Sequence, residues 1–569
     1  MSAQLVRRWF PFFFLLRLCI AVSMTSHEAP DEWWQGPEVA YHFVFGKGTL
    51  TWEWSPEVAL RSVLFPLCFA VPYWVLARLG LDSAVSLFLS EKTVQAVVAA
   101  GVDCCTVCLA GRLERKRSSS KKGSRLSRVW CPTTLTGTTA LLQATSFYIA
   151  YCGGRTYSNI METWFVLLAM LQEDRYGLFL LFSGLACIIR PTAAVALLPC
   201  VYRHWKAQLS SRGGCRTLLR LLTLSLVAVV LLVGGSAVLD RAVHYPTYVL
   251  TPYNFLYVNV VRNVSSLYGV HPWWFYFVVA FPALAGFSLV WLCLPLFLRV
   301  TTTKTTMYDT LNAKEKTEVK FLLFSMVWVM AFYSLLAHKE IRFIFVVGPL
   351  SSVLAAVSLH TALQQQGPLL LTLPALSRPV GKSLLRRVLV GCLLANLALF
   401  TFVGYYWQSG SNRLFRHIRW RQGDVRYDQL HILTNCYETP GYAALHGRVG
   451  ELDTVSCDLK YNTTTGRAER TERDYFMQAP APFIRWKYDR DRQLRGQPLP
   501  TADDSEAWWK GVEALYPSGE DGRPLPDGIV IFSDVALLLQ EEFLSKHHYR
   551  LKYAAHDKPF APQLQLWVR

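Results

Sequence analysis

Charge is scarce in this chain, and acidic charge most of all. Asp and Glu total 40 of 569 residues against 58 Lys and Arg, and only 17% of the chain is charged where 52% is hydrophobic. So apolar a composition excludes an ordinary soluble enzyme. Other absences narrow the field. There is no glycine-rich phosphate loop, no H-E-x-x-H and no G-x-S-x-G, which removes P-loop nucleotide binding, zincin chemistry and serine-hydrolase chemistry. No internal repeat is visible, whereas transporters are commonly built from repeated halves. Of the 14 cysteines, most lie in or near apolar runs, where the thiol is a small hydrophobe. Cys104, Cys105 and Cys108 lack a second ligand pair, so no metal site is predicted. Cys436 and Cys457 alone stand in polar sequence, where a disulfide suits an oxidising compartment.

What the chain has instead is a series of runs long enough to cross a bilayer, which takes about 20 helical residues. The clearest are Leu221–Leu239, Trp274–Leu298, Phe321–Ala337, Phe343–Leu359 and Val388–Trp407; weaker ones are Trp9–Met24, Ser62–Leu76, Val94–Gly111, Cys131–Gly154, Thr163–Gln172 and Tyr176–Ile189. The expectation is a polytopic α-helical membrane protein with about 11 transmembrane helices. The first run follows Arg7 and Arg8 as a signal peptide would, but reads as a retained span with a cytosolic N-terminus. Two rules then disagree over the basic cluster Arg112–Arg128. Positive residues belong in the cytosol, yet counting single crossings puts them in the lumen. A missed or re-entrant segment between Gly80 and Gly111 would reconcile them. The net charge of +18 suits anionic lipid headgroups better than nucleic acid.

The loop after the first run, residues 25–62, concentrates the scarce acids: Glu28, Asp31, Glu32, Glu38, Glu53 and Glu57, among four tryptophans. Pro30 followed by Asp31 and Glu32 is a helix start. A helix through His42 would align Asp31, Gln35, Glu38 and His42 on one face, although Gly36-Pro37 opposes an unbroken one. Rings that stack on sugars, amides that bind hydroxyls and a carboxylate that takes a proton suit a sugar-handling site. A membrane-hugging loop with interfacial Trp is the plainer alternative.

Further on, Arg155, Asn159 and Glu162 would lie about one turn apart. Arg190-Pro191 interrupts an apolar run, and an intramembrane Arg is a functional suspect or a snorkelling one. A second loop, residues 240–272, is rich in tyrosine and carries a glycosylation sequon at Asn263; another stands at Asn462. His338–Phe343, H-K-E-I-R-F, is wedged between two spans and so lies at headgroup depth. Read as a helix, it sets His338 four residues from Arg342. Three potential cations, His338, Lys339 and Arg342, around one acid, Glu340, suit a phosphate. From about residue 408 the composition turns polar. Strands are expected at His431–Thr434, Gly528–Phe532, Arg550–Ala554 and Gln563–Val568, with helices at Pro440–His446, Asp504–Leu515 and Asp534–His547. The predicted division is a transmembrane catalytic module, 1–407, and a luminal α/β domain, 408–569.

The pairing of P-D-E-W-W-Q…H…G-K-G-T-L-T-W-E-W…R-S (Pro30–Ser62) with H-K-E-I-R-F resembles the glycosylphosphatidylinositol (GPI) mannosyltransferases and their N-glycan relatives. These are glycosyltransferase family 22, GT-C enzymes of the endoplasmic reticulum that use dolichyl phosphate mannose. Within that family R-T-Y-S-N-I-M-E-T (155–163), I-I-R-P-T-A (188–193), T-P-Y-N-F-L…N-V-S-S-L-Y-G-V-H-P-W (251–273) and L-T-N-C-Y-E-T-P-G-Y (433–442) look most like the members that add the third, α1,2-linked mannose.

The resemblance implies an inverting single displacement with a carboxylate base, Asp31 with Glu32 as competitor. His338, Lys339 and Arg342 would take the donor phosphate, with Glu340, Gln35, Glu38, His42, Trp52 and Arg61 in support. Arg155, Asn159, Glu162, Tyr253, Asn254 and His271 would contact the acceptor. The first loop has no D-x-D motif, so neither a metal nor a cofactor is expected. The implied partners are dolichyl phosphate mannose, a mannosylated glucosaminyl-phosphatidylinositol acceptor and membrane lipids, with the catalytic loops and the C-terminal domain luminal. The alternatives are a fourth-mannose or N-glycan-precursor enzyme of the same family, or a lipid transporter or flippase.

Overall fold

The structure, a computed structural model, describes residues 3–118, 134–212, 214–300, 311–364, 369–373, 376–420, 426–435, 437–455, 461–462, 467–468, 471–488, 525–558 and 561–569. Cys436, Cys457 and the expected helix at Asp504–Leu515 lie outside them. The chain divides into two compact units. One comprises Met1–Ser23, Ala59–Phe65 and Lys92–Phe402; the other comprises Met24–Val58, Pro66–Glu91 and Val403–Arg569.

The first unit is mainly helical. Ala3–Ser23 runs antiparallel to the stretch 92–111: Trp9 and Phe13 share a core with Ala100, Cys104 and Val107, and a Cβ on Gly111 would stand 2.7 Å from Leu5. Arg17, fully buried, is neutralised there. Its Nε donates to Asp103 at 2.7 Å, and its Nη2 donates to Asp103 at 3.1 Å and to the Gln143 carbonyl at 3.0 Å. A charge in hydrocarbon is tolerable only when paired in this way. Ser158–Leu171 crosses the long helix Ala84–Ser118 at Gly101, where a Cβ would overlap the Trp164 ring at 2.3 Å.

Among the described residues four helices are long and apolar enough to cross a membrane: Ala84–Glu114, Cys215–Val243, Ala313–Ser334 and Lys382–Tyr405. Two expected spans are broken. Trp274–Leu298 splits at Gly286, whose φ of 53° ends Phe281–Ala285 before Ser288–Phe297 begins. The run to Gly154 turns at Ser146, between Leu135–Thr145 and Phe147–Gly153.

The second unit carries a mixed sheet. Its strands are β1 (Tyr427–Leu433), β2 (Val449–Thr454), β3 (Gly528–Phe532), β4 (Arg550–His556) and β5 (Gln563–Val568), ordered β2-β1-β3-β5-β4. β1 is parallel to β2 and β3, while β5 is antiparallel to β3 and β4. Alternation places Ile529 and Ile531 in one core with Phe483, Leu539 and Phe543, and Val530 in another with Leu414, Phe415 and Ile418. The latter three come from Gly410–Trp420, an amphipathic helix that the reading of the sequence did not identify.

Candidate functional site

The hairpin motif lies in the first unit, between helices Ala313–Ser334 and Val347–Gln364. It is not helical as expected. Glu340 is extended (φ −133°, ψ 152°), and a 3-10 turn follows at Ile341–Ile344. This conformation lets Glu340 bridge two cations rather than stack beside them. His338 Nε2 lies 3.1 Å from Glu340 Oε1, and Arg342 Nε lies 2.5 Å from Oε2. Burial alone would raise the Glu340 carboxyl, but the Arg342 charge and the hydrogen bonds from His338 and Arg342 hold it down at about 2. Burial works against protonating His338 too. Its hydrogen bonds to Glu340 and to the Gly269 carbonyl (2.8 Å), with the Glu340 charge, outweigh that and raise its pKa.

The end of the second loop is tied to this hairpin. The His271 amide donates to the Ala337 carbonyl at 3.2 Å. Lys339 Nζ donates to the His271 carbonyl at 2.8 Å and to the Leu336 carbonyl. Lys339 therefore organises the turn. His338 and Arg342 flank the bridging acid.

Arg342 reaches from there into R-T-Y-S-N-I-M-E-T. Its guanidinium sits 4.8 Å over the Tyr157 ring, and it lines a small cavity with Asn159, Glu162 and Tyr333. Arg155, Asn159 and Glu162 are all buried; Arg155 lies 4.0 Å over the Tyr151 ring, just before helix Ser158–Leu171. Arg190 pairs with Glu162 at 3.2 Å and donates to Ser158 Oγ at 3.2 Å. Of the residues expected to meet the acceptor, Asn159 and Glu162 share that cavity with the hairpin arginine. Tyr253 and His271 are exposed, and Asn254 Nδ2 donates to the Ala59 carbonyl at 3.3 Å.

Asp240 escaped the reading of the sequence. Fully buried, it accepts from Ser62 Oγ and the Val63 amide, both at 2.8 Å, and from Thr251 Oγ1 at 3.4 Å. Tyr245 adds a bond to the Arg61 carbonyl at 2.8 Å. The last residues of the first loop are thereby stitched to the second. A lone acid ending an apolar run was the available signal.

Asp31 and Glu32 belong to the second unit. Asp31–Trp34 forms one turn, Gly36 breaks it and Pro37–Phe45 resumes, so the proposed continuous face is interrupted. Asp31 is half-buried; Glu32 and Gln35 are buried. His42 Nδ1 bonds the Gly48 carbonyl at 3.0 Å, and Trp52 opens a 3-10 turn. Glu38 turns to the C-terminal segment, accepting from the Gly441 amide at 2.9 Å and the Ala443 amide at 3.2 Å. Burial pushes its carboxyl up to about 7, although those two amides pull the other way. Trp34 Nε1 donates to the Thr439 carbonyl at 3.1 Å, and Tyr41 bonds His446 Nδ1 at 2.8 Å. The loop bearing Asp31 is thus held by residues 439–446. Asn263 is exposed, and Asn462 lies in a short strand. Among the described residues no group of three His, Cys, Asp or Glu is placed to hold a metal ion.

Residues 8–446 match the Alg9-like mannosyltransferase family. The chain is 34% identical to GPI mannosyltransferase 3 of Trypanosoma brucei brucei over 98% of both chains. It is 28% identical to GPI alpha-1,2-mannosyltransferase 3 of Bos taurus, over 85% of this chain and 79% of that one. Its fold is similar to that of ArnT from Cupriavidus metallidurans, solved bound to undecaprenyl phosphate: TM-score 0.50, 12% identity, 100% of this chain and 98% of that one. That likeness concerns the fold alone, a membrane scaffold of the GT-C type.

Proposed function

We infer the reaction from one premise: this chain belongs to the Alg9-like mannosyltransferase family. It is a membrane mannosyltransferase. We assign it the transfer of mannose from dolichyl phosphate mannose to a GPI precursor, as the third, α1,2-linked residue, in the endoplasmic reticulum membrane. The names of its relatives support that acceptor. In an inverting displacement the acceptor hydroxyl oxygen forms a bond to C1 of mannose while the bond from C1 to the phosphate oxygen breaks. The hydroxyl proton passes to a carboxylate, here Asp31, with Glu32 as its competitor. The departing dolichyl phosphate takes the electron pair, and positive groups at headgroup depth stabilise it.

The observation that carries the reading is the Glu340 bridge, which fixes His338, whose protonation that bridge favours, beside the permanently charged Arg342. Charge on the phosphate is assigned to these side chains rather than to a metal. The test is transfer in microsomes carrying Asp31→Asn or Glu32→Gln. The base should lose at least about 100-fold, with a two-mannose precursor accumulating. Full transfer by both variants would remove the mechanism.

We read the sidedness from the antiparallel pairing marked by Leu5 at Gly111. The antiparallel pair sets Arg7, Arg8 and Arg112 at one membrane face, which the positive-inside rule makes cytosolic. On this reading Leu64–Arg78 need not cross, and residues 112–118 lie on the cytosolic side. A Ser118→Cys variant should react with impermeant maleimide only from the cytosolic side; labelling from the lumen would reverse the assignment.

A further inference from the structure

The second unit contains a cleft of about 680 Å³ unrelated to any residue assigned above to transfer. It lies between the 80–86 segment and Arg419, Arg426 and Arg448. Arg419, on helix Gly410–Trp420, is only 6% exposed. Its Nε donates to the Ala444 carbonyl at 3.1 Å, and its guanidinium lies 4.2 Å over the Phe88 ring. Among the described residues its two Nη groups have no hydrogen-bond partner. The Glu91 carboxylate offsets part of the cost of burying this guanidinium, whose remaining donors are open to an acceptor in the cleft. Burial draws its pKa down to about 10.

The other two arginines are brought side by side by the sheet. Arg426 and Arg448 directly precede β1 and β2, whose first residues pair as Tyr427 and Val449, and the Tyr427 amide donates to the Arg448 carbonyl at 2.9 Å. Asp82 is the one carboxylate among the lining residues, and it pairs with His446 at 3.3 Å. Ser83 accepts from the Ser86 amide at 3.2 Å, so the long helix Ala84–Ser118 begins at the cleft and turns the positive end of its dipole there. Three arginines line this cleft at a helix start, against one lining carboxylate that is already engaged, and together they make an anion site.

A second observation selects the anion's carrier. The helix Leu64–Arg78 buries Phe65, Phe69 and Tyr73 on one side. It exposes Val71 (60%), Trp74 (53%) and Val75 (41%) on the other, continued by Leu79 and Leu81. Leu81 itself lines the cleft. Arg78 sits 5.4 Å over the Trp74 ring, the pairing of an amphipathic ring with a cation that suits headgroup depth. A strip of apolar side chains ending at a basic cleft matches a molecule with acyl chains at one end and a phosphate at the other. We propose that this cleft binds the phosphodiester headgroup of an anionic phospholipid of the luminal leaflet, with the Leu64–Leu81 segment lying along its acyl chains. The assignment does not rest on the transfer reaction.

The test uses the full-length protein in detergent, titrated with phosphatidylglycerol, whose headgroup has no sugar to engage a glycosyl site. Phosphatidylcholine and inorganic phosphate are the comparison ligands. Phosphatidylglycerol should bind at least about 10-fold more tightly than either. Arg426→Glu with Arg448→Glu, both away from the core, should weaken it at least about 10-fold, the range of a lost charge-assisted contact. Leu79→Ser with Leu81→Ser should weaken phosphatidylglycerol more than inorganic phosphate. Arg419→Met should behave as the double arginine variant does; if it unfolds, the exposed pair decides alone. Equal affinity for the two phospholipids, or unaltered binding in the arginine pair, would overturn the site. Inorganic phosphate binding as tightly as phosphatidylglycerol would overturn the lipid as its ligand.

Discussion

Replacing Glu340 by Gln removes the charge that holds His338 and Arg342 together while keeping its shape. Its carboxyl sits near 2 rather than the ordinary 4.5. A difference of 4.5 − 2 = 2.5, at about 1.36 kcal/mol per pH unit, is about 3 kcal/mol of preference for the charged form. The side chain is 30% exposed, and solvent screening trims this to about 2 kcal/mol. If the bridge positions both cations for the departing phosphate, Glu340→Gln should lower kcat about 30-fold. The assay is transfer from radiolabelled dolichyl phosphate mannose to a two-mannose acceptor, followed across pH. His338 adds a sign to the prediction. Its raised pKa keeps the imidazolium charged below that value and loses it as pH rises through it, so activity should fall on the alkaline side. Without Glu340 that fall should begin at lower pH. Wild-type kcat with an unmoved alkaline limb would refute the bridge as a positioning device.

The remaining predictions concern the other unit and the ion question. Gly441→Ala would set a Cβ 2.7 Å from Glu38 Oε2 and displace the carboxylate from two amides; loss of about 2–4 kcal/mol should appear as a lower Tm together with reduced transfer. Glu38 binds its proton more tightly when folded, so stability should decline as pH rises from 4.5 through about 7. Glu38→Gln should flatten that decline in thermal unfolding measured across pH, and an unchanged slope would assign it to another group. Dialysis against EDTA should leave transfer intact, because side-chain cations are assigned to the phosphate; activity restored only by a divalent ion would reassign that role.

The membrane class, the C-terminal α/β character and the two motif regions were legible because each depends on local pattern: long apolar runs, alternating strands such as Gly528–Phe532, and clustered polar residues. Conformation within the motifs was not. Helical spacing put His338 and Arg342 on one face, whereas the attraction of both to Glu340 favours an extended residue there. The neighbours of Asn159 and Glu162, a cavity shared with Arg342 and, for Glu162, a pairing with Arg190, were equally invisible in the spacing. Asp240 and the Glu38–Gly441 contact were hidden for a different reason. Their partners lie 177 and 403 residues away, and a single sequence carries no signal for such pairings. β2, with polar residues among its apolar ones, had too weak an alternation to be read.

Arg17 and Asp103 stand 86 positions apart, and synthesis at about 5–20 residues per second separates their emergence from the ribosome by about 4–17 s. During that interval the first helix must hold an uncompensated guanidinium against lipid. Stable lodging of this helix therefore waits for a segment made much later. Its integration lags behind its synthesis.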